Sequence, residues 1–198
     1  MGVTARALHE PQGDLELELS ARDERKGWVV RLHPQTGARH LDELEFGLLP
    51  HNTGSPTTAP RPRNARAETV AELPMFADAF QRRRAIVPVD VYFQRRSIGS
   101  PPQRFAISRA NGQTMAFAGL WESYRWPNGL ITRTYCIITT AANAMISEFH
   151  DRMPVILEKA DCPIWLGERP GDPSSLLRPA SPGLLQCRQV GGRKGRAR

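Results

Sequence analysis

A single α+β domain, built mainly from antiparallel β-strands with a few short helices, is the fold class that three features of the sequence predict. Two Asn-Gly pairs, Asn111-Gly112 and Asn128-Gly129, each stand between runs of β-branched and aromatic residues and so mark tight turns between neighbouring strands. The helical patterns are short and isolated. With 17 prolines, 16 glycines and 40% hydrophobic residues in 198 positions, the chain is long enough for one core and too rich in helix breakers for a helical bundle.

Residues 1–27 show weak periodicity and form an N-terminal segment expected to be poorly ordered. The folded domain is assigned to 28–187 and a basic tail to 188–198. Trp28-Val-Val-Arg-Leu reads as a strand, Pro34-Gln-Thr-Gly37 as the turn after it, and residues 41–48 as the strand that returns. The loop HNTGSPTTAPRPR, residues 51–63, is polar and proline-rich. Pro74 at a first helical position, with Phe76 and Phe80 spaced i, i+4, predicts a helix over 74–83 whose C-terminus Arg82, Arg83 and Arg84 complement. Residues 85–93 are β-rich, and Pro88 confines part of them to a sheet edge. RFAIS, MAFAGLWESY and TRTYCIITT, separated by the two Asn-Gly turns, predict a three-stranded antiparallel meander. AANAMISEF follows as a short helix with Met145, Ile146 and Phe149 on one face, and Pro154 bars its continuation past HDRM. Val155-Ile-Leu resumes a strand. From Gly167 onward the chain has little to bury and is expected to fray. There is no internal repeat.

Composition narrows the function classes. Three cysteines, Cys136, Cys162 and Cys187, without a CxxC spacing and without histidines at ligand spacing, support neither a disulfide framework nor a zinc site, and a reducing cytoplasmic setting is expected. The first 25 residues hold no apolar h-region and no 18-residue apolar run occurs, so no membrane partner is expected. The formal charge is +7, but Arg188, Arg193, Lys194, Arg196 and Arg198 fall in the last eleven positions. Without them the chain is nearly neutral. What remains is asymmetry: residues 1–45 carry six basic and nine acidic groups, residues 61–109 ten basic and four acidic. A basic middle of this kind is either a phosphate-binding surface or a solvated arginine face.

Two segments hold the residue types that do chemistry. His150 would sit at a helix C-terminus, where unpaired carbonyls favour the imidazolium form and poise the ring for proton transfer; the alternative is a histidine that merely caps those carbonyls. Asn64, Arg66 and Glu68 alternate, so an extended chain presents an amide, a guanidinium and a carboxylate on one face. They fit a polar ligand or an ordinary loop anchor. Asp151 and Arg152 can pair with each other or with Arg66 and Glu68.

NARAETVAELPMFADAFQRRRAIVP, MAFAGLWESY and CIITTAANAMISEFHDRMPVIL resemble, in this order, the successive motifs of the SOS-response-associated peptidase family, the abasic-site processing proteins. EFGLLP is similar to the family's WGLIP segment, and with gaps the resemblance spans about residues 28 to 190. It implies a barrel-like antiparallel sheet with short helices, a monomer, no cofactor and no metal. It also implies a basic groove for single-stranded DNA carrying abasic sites, with Arg61, Arg63, Arg66, Arg82, Arg83 and Arg152 as the groove's cations, in a cytoplasmic protein that is nucleoid-associated when bound to DNA. In the family a cysteine exposed at position 2 condenses through its α-amine with the aldehyde of the ring-opened sugar, and its thiol closes a thiazolidine. An asparagine, a glutamate and a histidine move protons around that terminus; the matching positions are Asn64, Gln94 and His150. This sequence departs from the pattern twice. Gly2 stands at the cysteine's place, and Gln94 replaces the glutamate with an amide that cannot exchange a proton near neutrality. Family self-processing and crosslinking are therefore open here, the alternatives being a non-catalytic single-strand binder or a chain whose true start lies upstream.

Overall fold

Along Lys26–Leu32 buried Val29 and Arg31 alternate with more exposed Trp28, Val30 and Leu32, the period of a strand with two unlike faces. This is β1, and the computed structural model, which describes residues 26–96 and 103–190, adds ten further strands and two short helices to it. They are β2 (Arg39–Phe46), β3 (Asn64–Arg66), α1 (Pro74–Arg82), β4 (Arg84–Val89), β5 (Val91–Arg96), β6 (Gln103–Arg109), β7 (Met115–Arg125), β8 (Ile131–Ala141), β9 (Arg152–Pro154), β10 (Ile156–Leu157), α2 (Cys162–Leu166) and β11 (Leu185–Val190). Among the described residues no helix is long and apolar enough to cross a membrane.

Five strands close a ring. β1 pairs antiparallel with β2 and β4, β4 with β7, and β7 with β8, while β8 returns to β2 in parallel through Glu45↔Thr134 and Phe46↔Tyr135. The fold is thus a closed barrel, mainly antiparallel as expected, with the β2–β8 pairing parallel. Its interior takes side chains from every strand of the ring, Val29, Leu44, Val87, Phe117, Trp121 and Tyr135 among them. Buried Arg31 is tolerated there because its Nε donates to Asp42 at 2.6 Å and its guanidinium lies 4.2 Å from the Trp121 ring centre. The exterior face, with Ile86, Ala118, Leu120, Cys136 and Ile138, packs under Phe76 and Phe80 of α1 and Trp165 of α2. Phe76 and Phe80 are both buried, as their spacing predicts. β2 stops at Phe46, two residues early, because Gly47 turns at φ +117° and donates its N–H to the Tyr135 carbonyl.

Three expectations fail for identifiable reasons. The Asn111-Gly112 turn does not join β6 to β7: both edges of β6 are taken, by β5 and β11, in a separate three-stranded sheet, and β7 pairs with β4 instead. Only the Asn128-Gly129 turn closes a hairpin, β7 to β8. AANAMISEF forms one 3-10 turn, Ile146–Glu148, because Asn143 captures the Ile146 N–H with its side-chain oxygen and the Ala180 carbonyl with its amide. The segment after Gly167 does not fray; it buries Leu176, Ala180 and Leu185 and supplies β11, which pairs with β6 over six residues and carries Arg188 within the sheet. Residues 1–25 and 191–198, including Gly2 and most of the basic tail, lie outside the described residues.

Candidate functional site

The C-terminal end of β8 is flanked on both sides by short strands. β3 runs parallel to it, with Asn64↔Ile137 and Arg66↔Thr139, and β9 antiparallel, with Thr139↔Pro154 and Ala141↔Arg152. In β3 the buried residue is Ala65, so Asn64 and Arg66 face outward together, as alternation predicts. Glu68 has already left the strand in the turn that begins with Ala67, whose N–H reaches the Thr139 carbonyl at 2.8 Å.

Arg152 clamps the two strands. Its Nη1 and Nη2 each donate to one Glu68 carboxylate oxygen at 2.8 Å, and Nη2 also reaches the Thr139 carbonyl at 2.6 Å. This side-chain hydrogen bond holds the Glu68 carboxyl below the ordinary range and raises the Arg152 guanidinium, as a bidentate charge-assisted pair requires. NARAE and HDRMP, 84 residues apart where they touch, meet at one strand end.

His150 lies just past the 3-10 turn, half-exposed, and does not cap carbonyls with its ring. Its Nδ1 accepts the Arg152 backbone N–H at 2.9 Å. A nitrogen that accepts carries no proton, so the neutral ring holds its proton on Nε2. Asp151 Oδ1 stands 2.9 Å from the same Nδ1. Gln94 comes from the second sheet, where it stands opposite Phe105; the Phe105 ring packs at 4.7 Å on Phe149, the residue before His150. Register places Gln94 and Phe105 on one face, so packing links this glutamine to the His150 turn.

The candidate groove cations divide. Arg66 is exposed beside Asn64. Arg63 lies 5.4 Å from the Phe46 ring centre, and Arg61 pairs with Glu45 at 3.0 Å. Arg82 is 74% exposed and touches Asp78 one turn back at 3.4 Å. Arg83 departs from the groove expectation. It is folded inward against Asp78, His51 and Glu122, the last at 2.8 Å and 2% exposed. The ligand atoms of His51, Asp78 and Glu122 lie within 4.8 Å of one another, as in a cation site, and the Arg83 guanidinium is the cation among them. Sequence reasoning missed His51 and Glu122, since the latter reads only as one more alternating residue of a strand. Arg84 behaves as a helix-end arginine, donating to the Phe80 and Gln81 carbonyls at 2.7 and 2.9 Å. Burial pushes the Cys136 thiol up to about 12 and raises Cys162 and Cys187 as well, so none of the three is poised as a thiolate nucleophile.

Comparison with known proteins gives a consistent result. The family model described as SOS response associated peptidase (SRAP) matches residues 5–195. The abasic site processing protein YoqW of Bacillus subtilis is 34% identical over 156 residues, 76% of this chain and 69% of its own length. The abasic site processing protein YedK of Escherichia coli is 32% identical over 138 residues, 70% of this chain and 60% of its own. A crystal structure of a protein from Bacteroides thetaiotaomicron shares the fold, with a TM-score of 0.75 at 24% identity, covering 91% of this chain and 84% of that one.

Proposed function

The chain belongs to the SOS response associated peptidase (SRAP) family, and on that premise we propose that it processes abasic sites in single-stranded DNA, holding the lesion between Asn64, Gln94 and His150 at the end of β8. The observation that carries this reading is the Arg152–Glu68 clamp, which gathers the two motif segments on one strand end with Asn64 and Arg66 facing out.

The chemistry asked of the site is modest. The ring-opened abasic sugar offers an aldehyde, and an amine that adds to its carbon leaves an oxygen that must take up a proton before water departs and the imine forms. His150, with its proton on Nε2 in the neutral ring, is the donor for that oxygen. Asn64 and Gln94 orient the sugar by hydrogen bonds, and Gln94 takes no part in proton exchange. Arg66, Arg63 and Arg61 meet the phosphates on either side. An α-amine without a neighbouring thiol can form a reversible imine but not the thiazolidine that an N-terminal cysteine closes. Gln94, an amide where the family has a glutamate, favours a second reading in the same place, a lesion binder without covalent chemistry.

Fluorescence anisotropy with a labelled oligonucleotide, intact or carrying one abasic site, tests the proposal. Affinity for both should fall with salt, log K dropping by about 0.7 per decade for each phosphate contact, and Asn64→Ala or His150→Ala should remove the preference for the abasic strand. Equal affinity of the wild-type protein for intact and abasic strands sinks the lesion reading.

A further inference from the structure

The second sheet carries charge that the site at β8 does not use. β5, β6 and β11 together contain Arg95, Arg96, Arg104, Arg109 and Arg188 and no carboxylate. Arg109 is taken by Glu158, at 2.6 Å. The ladder sorts the others. Tyr92, Ile107 and Cys187 form one row across the three strands and pack toward the barrel core, so the residues alternating with them make the outer face. On that face Phe93, Ala106 and Arg188 stand in one row, with Arg104 and Val190 in the next.

The outer face has a definite shape. The Arg104 guanidinium lies 4.1 Å from the centre of the Phe93 ring. Ala106, although it points outward, is only 8% exposed. Arg188 itself is exposed. Across the row an arginine-capped aromatic and an exposed guanidinium therefore flank an alanine. After Val190 the sequence adds Arg193, Lys194, Arg196 and Arg198.

We propose that this outer face is a second binding surface for single-stranded nucleic acid, taking the strand that flanks a lesion held at β8. Exposed Arg188, on a strand that holds no acid, favours a polyanion. The Phe93–Arg104 pair narrows the choice, since a ring and a planar guanidinium together offer a stacking platform for a base, which an acidic polypeptide lacks. The sheet also borders the lesion site, because Phe105, on its inner face, packs on Phe149 beside His150. The proposal rests on the reading above for the identity of the polymer and not for the chemistry at His150.

The test uses the full chain and labelled oligodeoxythymidylates of about four and about sixteen nucleotides, the limits of a small single-strand site, each with and without a central abasic site. Arg188→Gln should lower the salt slope for the longer strand by about 0.7, and Phe93→Leu should weaken that strand by about fivefold or more. Neither should change binding of the short abasic strand. An unchanged slope, equal losses on both lengths, or displacement of the longer strand by polyglutamate as readily as by unlabelled oligothymidylate would each overturn the proposal. Failure of the lesion reading is separable. It abolishes the abasic preference on both lengths yet leaves the response of the long intact strand to Arg188→Gln in place.

Discussion

Replacing Glu68 by Gln is the perturbation that most directly probes the clamp. The wild-type pair is bidentate, with both N–O distances at 2.8 Å, but Glu68 is 51% exposed and Arg152 21%. Solvent therefore screens much of the attraction, and the expected loss is about 1 kcal/mol, between an isolated surface pair and a well-formed charge-assisted one. For a domain of this size that is a drop of about 2–4 °C in thermal midpoint. The pH dependence follows from the direction of the shift. Arg152 holds the folded carboxyl below the ordinary glutamate value of 4.5, so the stabilisation is present above that value and disappears as pH falls through the lower folded one. Calorimetry of both proteins should show a constant gap from neutrality to about one unit above the ordinary value, closing in more acid solution. DNA binding gives a second readout. The variant loses one negative charge, so affinity for an intact strand should hold or rise, while the preference for an abasic strand falls because the His150 turn is no longer tied to β3. A gap that is absent at neutral pH, or one that persists unchanged at about pH 3, refutes the clamp; a retained abasic preference refutes its link to the site.

Other outcomes follow from the same geometry. Glu122→Gln removes the buried partner of Arg83, which keeps Asp78, and should cost about 1–3 kcal/mol in urea unfolding, whereas Arg82→Gln, at a position 74% exposed, should stay within about 0.5 kcal/mol. The 198-residue polypeptide should give no heat-stable crosslink to abasic DNA on denaturing electrophoresis, with a weak band after borohydride reporting the α-amine imine; a persistent band without reductant would mean that another group traps the aldehyde. With a family-like N-terminal segment carrying cysteine at position 2, and with Gln94→Glu, crosslinking should return. In that background His150→Ala should slow it while costing only about 0.5–1.5 kcal/mol, the worth of the lost ring-to-backbone hydrogen bond, whereas an unaltered rate would reduce His150 to a turn-stabilising residue.

Features that depend only on neighbours in the chain were legible in the amino-acid order. Phe76 and Phe80 face one way because a helix repeats every 3.6 residues, Asn64 and Arg66 face one way because a strand repeats every two, and the Asn128-Gly129 turn closes its hairpin without help. The motif segments around Asn64 and His150 were legible for the same reason, each being a short run of fixed residue types. Tertiary structure decided what depends on partners distant in the chain. Asn111-Gly112 makes a turn as good as its twin, yet no hairpin, because β11 arrives from 76 to 86 residues away to occupy the edge of β6. Arg83 looks like its neighbours Arg82 and Arg84 in the sequence, and only the burial of Glu122 on β7 turns it inward. The helix expected before His150 shrinks to one turn because Asn143 finds Ala180, and the supposedly fraying tail folds because three apolar residues, too few to signal a core, meet one already formed. Local periodicity carries no information about which edge is free or which charge is already neutralised; those are settled when non-local strands close the barrel and bury one set of polar groups against another.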